Sequence, residues 1–325
     1  MLFSVGCWQL WGILLLFCIG LLLIVKGGDL FVDAAVIIAE ASGIPHFVIG
    51  ATVVSFATAT PELLVSLMGS LRGNSELAIG NAVGSVTANT GMILALSCIC
   101  LPSAVSRRQY GFKAGLLILA TAVLYTASLG KQFSILGGAV LIAIYAVSVY
   151  DSMRCFKNNS SAARETGKSG GGMWIGTFGK FIAGAAGLVL GADFLVTSAT
   201  ETAIRIGVSQ AVISATIVAV GTSLPELVTT ITAVIKKQTS LGCGNIIGAN
   251  LIDIAVILPI CAIASPQGLK VCRQNIFIDF PVCLITLIAA FVPMLRRGRF
   301  SRPQGLCLLA IYIAYTVFIA FFNPF

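Results

Sequence analysis

Charge is what this chain has least of. Of its 325 residues only 10% are Asp, Glu, Lys or Arg, against 58% hydrophobic, and the mean hydropathy is +1.01. A soluble globular chain carries about 25% charge, so that class is excluded, and no segment is long or polar enough for a separate soluble domain. Histidine is nearly absent: His46 stands alone and reads as a structural residue near a membrane interface. The cysteines, among them Cys18, Cys243, Cys261, Cys283 and Cys307, sit inside apolar runs, and Cys98 and Cys100 do not have a zinc spacing. They read as small apolar helix residues, not as disulfides or metal ligands. No G-x-S-x-G element and no metalloprotease histidine pair is present, so nothing supports an enzyme.

What is present is apolar sequence in lengths that suit a bilayer. Runs near 9–37, 44–70, 75–100, 110–129, 133–152, 175–201, 208–235, 239–264, 275–295 and 303–322 predict about ten transmembrane helices. The run Leu10 to Val25 has no lysine or arginine before it, which predicts a first membrane helix and not a cleaved signal. The expected fold is an all-α polytopic membrane protein. One polar segment, Arg154 to Gly172, divides it, giving a first membrane repeat over 1–152, a cytoplasmic linker loop over 153–174 and a second membrane repeat over 175–325. Within that linker Thr166-Gly167-Lys168-Ser169 imitates the end of a phosphate-binding loop. The leading glycine would fall at Ala162 and glycines follow in place of a helix, so it reads as plain loop.

The halves are related. Shifting the first by 164 positions superposes Asp29 on Asp193, Gly43 on Gly207, Thr58 on Thr222, Pro61-Glu62-Leu63 on Pro225-Glu226-Leu227, Gly80-Asn81 on Gly244-Asn245 and Pro102 on Pro266. Two copies of five spans must cross the membrane in opposite senses, which makes an inverted-topology repeat with its site where the copies meet. The net charge of +8 follows the loops and does not indicate nucleic acid. With the N-terminus outside, 14 basic residues, Lys113 and Lys236 among them, fall inside and 5 outside. The bias predicts outside termini and a cytoplasmic central segment.

The chemistry is carried by the duplicated Thr58-Ala59-Thr60-Pro61-Glu62 and Thr222-Ser223-Leu224-Pro225-Glu226. A charge at mid-bilayer costs roughly 3 kcal/mol on insertion scales and is kept for a partner or a task. Proline has no N–H, so it frees the carbonyls of Ala57 and Gly221. Thr58 and Glu62 share a helix face, as do Thr222 and Glu226 with Ser223 beside them. On the next helix Gly80-Asn81 and Gly84-Ser85 lead to Asn89, and Gly244-Asn245 and Gly248-Ala249-Asn250 lead to Asp253; the glycines predict close helix approach. Facing glutamates repel unless a cation or a proton sits between them. An oxygen-only set suits Ca2+, Na+ or K+, and Mg2+ less well, because Mg2+ keeps its water. Asp253 reads equally as a cation ligand or as a protonated hydrogen-bond donor.

At these residues the chain resembles the sodium/calcium exchanger family of the Ca2+:cation antiporter superfamily, over nearly its whole length. The resemblance implies ten helices in two inverted repeats, with the first and sixth helices sliding across the rest. It also implies a Ca2+ site shared by Glu62, Glu226, Thr58 and Thr222, with Na+ sites nearby. The candidate ligands are those four with Ser223, Ser85, Asn89, Asp253, Ser55 and Ala219. No cofactor is implied; the ions are cargo, and the partners are Ca2+, Na+ or alternatively H+ or K+, and the lipid bilayer. The short central segment implies a minimal prokaryotic-type exchanger of the cell membrane. Three departures stand out: Ala59 and Ala249 replace motif serines, and Val86 replaces a motif asparagine. They leave the divalent set whole and put the counter-ion in question, with Ser55 as a substitute oxygen. Exchange of Ca2+ for Na+ is the leading reading, against Ca2+/H+ exchange, K+-dependent exchange and a passive cation channel. Asp29 and Asp193 read as cap or packing residues at the ends of the first helix of each repeat, with Lys26 available to pair with Asp29 or Asp33.

Overall fold

The computed structural model describes residues 10–102, 106–163, 171–206, 219–265 and 268–322. These are almost wholly helical. The chain begins with α1 (Leu10–Ser42), then α2 (His46–Ile49), a π-helical segment Gly50–Val54, α3 (Ser55–Thr58) and α4 (Thr60–Leu71). It continues through α5 (Ser75–Ala88), a π-helical segment Asn89–Leu94, α6 (Ala95–Cys100), α7 (Arg107–Ser128) and α8 (Ile135–Ala163). In the second half come α9 (Gly171–Arg205), α10 (Ala219–Thr222), α11 (Leu224–Ile235), α12 (Thr239–Ile252), a π-helical segment Asp253–Ile257 and α13 (Leu258–Ala264). A π-helical turn Asn275–Asp279 leads into α14 (Phe280–Arg297), and α15 (Arg302–Phe322) closes the described chain.

Among the described residues eight helices are long and apolar enough to cross a membrane, and the pair His46–Thr58 and Thr60–Leu71, bent by 47°, is a ninth span. Leu224–Ile235 is shorter and marks the seventh predicted span, whose leading part, 208–218, lies outside the described residues. Large apolar side chains such as Leu22, Phe56, Leu136, Phe178 and Ile263 are exposed, and the largely apolar core also encloses a set of Ser, Thr, Asn and acidic side chains. An apolar exterior is what a hydrocarbon solvent selects.

The sequence expectations need several corrections. α8 runs on to Ala163 and α9 opens at Gly171, so the linker is helical wherever it is described, and Gly171-Gly172 do not form a loop. Nothing between Met153 and Ala163 is proline or glycine, so nothing stops the helix. Thr166 to Ser169 lie outside the described residues. Lys113 is not a loop cation: it is buried in α7 and donates to Ser148 O (3.0 Å), Ser148 Oγ (3.0 Å) and Ser152 Oγ (2.7 Å). Asp29 lies well inside α1, not at its end, and the cation that reaches Asp29 (3.2 Å) and Asp33 (2.8 Å) is Lys236, just past α11, not Lys26. A lysine three residues from Asp29 on its own helix is the nearer choice in sequence; packing of α11 against α1 brings the distant one.

Glycine sets how the repeats meet. α1 lies along α9, and at their crossing a Cβ on Gly184 would stand 2.6 Å from Phe31 N, one on Gly191 2.7 Å from Ile24 N, and one on Gly27 2.8 Å from Leu188 N. Gly20 and Gly184, and Gly27 and Gly191, are equivalent positions of the duplication, so the same notch is used from both sides. α12 packs equally closely on α2 and the turn after it: a Cβ on Gly248 would stand 2.7 Å from Ala51 Cα, and one on Gly244 would strike Phe47 O. By the duplication, Gly80 and Gly84 would be met by residues 211 and 215, which lie outside the described residues. The expectation of close approach holds for Gly244 and Gly248.

Gly184→Leu is expected to force α1 and α9 apart and destabilise the protein by about 1–3 kcal/mol or more, the usual cost of overpacking. Thermal unfolding of the detergent-purified variant checks this; an unchanged midpoint would show that the contact is not structural.

Candidate cation site

The two proline breaks place the ligands. Ala59 (φ −76°, ψ 4°) and Ser223 (φ −89°, ψ 9°) are equivalent positions, and both leave the helical path immediately before a proline-led helix. Leu63 N still bonds Ala59 O (3.1 Å) and Leu227 N bonds Ser223 O (3.0 Å), so each new helix starts at the break and carries its glutamate in the first turn. Asn89 and Asp253 open π-helical segments at matching positions. Such widened turns displace side chains from the regular helix face and recur at functional sites.

Glu62, Glu226, Asp253, Asn89, Thr58, Ser223, Ser85 and Ser55 are all 2% exposed or less. Thr222 is buried too. Glu62 lies within electrostatic reach of Glu226 and Asp253, and Asp253 of Glu226. No ion pair among the described residues involves any of the three. Both carboxylate oxygens of Glu226 and of Asp253, Oε2 of Glu62 and Oδ1 of Asn89 have no hydrogen-bond partner. These orphaned atoms are all acceptors. A buried polar atom without a partner costs about 1–3 kcal/mol, more when charged. A cation can satisfy several such acceptors at once. Among the described residues no three His, Cys, Asp or Glu side chains are grouped closely enough to hold a metal by themselves. A cation here must therefore recruit hydroxyl, amide and carbonyl oxygens as well as carboxylates, as hard cations do.

Hydrogen bonds cross between the repeats in matched pairs. Thr58 Oγ1 donates to Asn245 Oδ1 (3.1 Å), and its equivalent Thr222 Oγ1 donates to Asn81 Oδ1 (3.3 Å). Asn89 Nδ2 donates to Asn250 Oδ1 (3.0 Å), and Asn250 Nδ2 to Thr90 Oγ1 (2.9 Å). Asn89 thus both packs between helices and aims an unpartnered oxygen. Ser223 Oγ stands 3.3 Å from Glu62 Oε1 and 3.2 Å from Ser85 Oγ. The equivalents of Ser223 and Ser85 are Ala59 and Ala249, both buried. By the duplication, the hydroxyl pair beside Glu62 corresponds to two methyl groups in the other half, where the hydroxyl that reaches Glu226 is that of Thr58. Ser55 Oγ donates to Thr52 O (3.1 Å) and fills the notch at Gly248, next in sequence to Ala249. Ala219 opens α10, and its leading neighbours lie outside the described residues.

Sequence reasoning did not single out Asn81, Asn245 and Asn250 as working residues. Asn81 and Asn245 were visible only as partners of glycine in a duplicated pair. Their roles depend on contacts with the other repeat, which local spacing does not encode.

A bundle that spans the membrane, carries a duplicated bent helix and buries unpaired carboxylates where its copies meet is a multi-pass transporter of cations. The chain belongs to the sodium/calcium exchanger protein family, whose model matches residues 12–153 and 176–321. It is 31% identical over 298 residues to the uncharacterized membrane protein MJ0091 of Methanocaldococcus jannaschii, covering 91% of this chain and 94% of that protein. It is 28% identical over 342 residues to the sodium/calcium exchanger MaX1 of Methanosarcina acetivorans, covering 93% and 97%. Its fold matches a structure of the sodium-calcium exchanger NCX_Mj soaked with Na+ and Sr2+, with a TM-score of 0.83, 29% identity, and 97% and 99% of the two chains covered.

A cation seated among these oxygens binds only the folded state. At 100 times its dissociation constant it is expected to stabilise the protein by about 2.7 kcal/mol. Thermal unfolding with and without Ca2+ reads this, and the increment is expected to vanish in Glu226→Gln.

Proposed function

We propose that this protein exchanges Ca2+ for Na+ across the membrane by alternating access, with Glu62 and Glu226 as the acids that hold the cation in turn with its competitor. The observation that carries the reading is the set of unpartnered carboxylate and amide oxygens on Glu62, Glu226, Asp253 and Asn89, buried where two inverted repeats meet. Two carboxylates neutralise one Ca2+ or two monovalent ions. Divalent and monovalent cations then compete for one set of oxygens, and competition for a shared site is what couples their fluxes. Thr58 and Thr222 add neutral oxygens from the residues before each break. Ser223 and Ser85 add a hydroxyl pair on the Glu62 side, and Ser55 an oxygen on the other. The family and the names of MaX1 and NCX_Mj support Ca2+ and Na+ as the cargo. The charge bias of the loops supports outside termini, a cytoplasmic central segment and a cell-membrane location.

A second reading, Ca2+/H+ exchange, has its own observation: the paired loss of hydroxyls at Ala59 and Ala249. A proton needs no hydroxyl ligands, and a carboxylate with two free oxygens can take one.

Uptake of radioactive Ca2+ into proteoliposomes separates the readings. With internal Na+ the wild type is expected to take up Ca2+, and with internal choline at equal pH it is not. Uptake driven by a pH difference without Na+ would establish the second reading. Glu62→Gln and Glu226→Gln are each expected to abolish uptake while remaining folded; wild-type flux in both would remove the site altogether.

A further inference from the structure

We infer that Asn81 and Asn245 are positioning residues for transport, each taking the hydroxyl proton of the threonine from the opposite repeat so that the threonine presents a lone pair to the cation. The inference rests on Thr58 and Thr222 being cation ligands.

A threonine hydroxyl has one proton and two lone pairs. It can ligate a cation only through a lone pair, so its proton has to be directed elsewhere. Inside a helix the default acceptor is a carbonyl three or four residues back, and Thr58 has one in Ser55 O at 3.4 Å. Asn245 Oδ1 is nearer, at 3.1 Å, and it comes from the other repeat, as does the Glu226 carboxylate, which also lies within hydrogen-bonding reach of Thr58. The rotor of Thr58 is therefore set by the opposite repeat and not by its own helix, and with a cation on Glu226 the remaining acceptor there is Asn245 Oδ1. Thr222 Oγ1 likewise has an acceptor from the opposite repeat, Asn81 Oδ1 at 3.3 Å.

Which end of the Asn81 amide faces Thr222 is fixed chemically. Asn81 Nδ2 lies 3.2 Å from Glu62 O and 2.9 Å from Ser66 Oγ. A carbonyl oxygen only accepts, so the atom facing Glu62 O must be the NH2 group, which leaves Oδ1 for Thr222. One side chain thus joins the backbone of the Glu62 turn to the hydroxyl of Thr222, so that a ligand carrier from each repeat moves with the other. In the second repeat the equivalent anchor is unmade: Asn245 Nδ2 and Thr230 Oγ1, the counterpart of Ser66, are both buried without a partner. The two asparagines therefore share the proton-accepting role, while only Asn81 is also tied back to its own repeat's broken helix.

The test is a double-mutant cycle on full-length protein in proteoliposomes, reading the Ca2+ KM and the maximal rate of Na+-driven uptake. Thr58→Val and Asn245→Leu are each expected to raise the KM roughly tenfold, the size of one lost ligand-orienting hydrogen bond, with the maximal rate changed less than about twofold. If Asn245 acts through Thr58, adding Asn245→Leu to Thr58→Val leaves the KM within about twofold of the single variant, whereas independent roles multiply. Multiplied effects, or an unchanged KM in Asn245→Leu, would overturn the inference while leaving the cation site intact. An unchanged KM in Thr58→Val would remove the ligand role itself, and this inference with it. Should Asn245→Leu not fold, Thr222→Val and Asn81→Leu form the same cycle, with the larger loss expected at Asn81 because its substitution also frees Glu62 O.

Discussion

The rest of the structure is arranged around carboxylates that hydrocarbon will not tolerate. Glu62, Glu226 and Asp253 are buried within electrostatic reach of one another and form no ion pair. In water each would be solvated; here that role falls to hydroxyl and amide donors of the protein and to a cation or proton placed between the acids. The proline breaks follow from that need, because they open helix turns without exposing backbone to lipid. The π-helical turns at Asn89 and Asp253 follow as well, because they rotate a side chain toward the centre. The apolar outer surface is the price of admission to the bilayer, and the polar interior is the working part.

Close approach of helices is the second constraint. An oxygen cage drawn from two repeats requires their helices to pass at near-backbone distance. Glycine supplies this where α1 crosses α9 and where α12 crosses the first half of the bent span. The consequence for function is direct: the contact of Gly244 and Gly248 with Phe47, Ala51 and Ser55 is what sets Thr58 beside Asn245. Asn81 is only partly buried where Asn245 is fully so.

The duplication also exposes an asymmetry with chemical meaning. Ser223 and Ser85 form a hydroxyl pair across the repeat boundary, and Ala59 and Ala249 are its symmetry mates. In the sequence these are two separate substitutions in two motifs. By the symmetry of the duplication they correspond to one pair, and Glu226 has two unpartnered oxygens against one on Glu62. Any difference in counter-ion between this protein and its relatives is expected to originate on the Glu226 side.

Much was legible from the chain alone. Low charge and apolar runs of bilayer length determine a membrane bundle, because burying unsatisfied polar groups in lipid is too costly to be accidental. An ungapped shift of 164 positions determines the repeat, and five spans per copy determine its inversion. Proline and glutamate in mid-span point to the candidate site. Three-dimensional packing decided what sequence distance conceals: that Lys236 and not Lys26 reaches Asp29, that Lys113 is buried, and that Asn81 and Asn245 hold threonines 141 and 187 residues away. The physical reason is the range of each signal. Solvent preference and helix period act within a few residues and are written locally, whereas a hydrogen bond between repeats depends on two helix surfaces meeting, which no local pattern records.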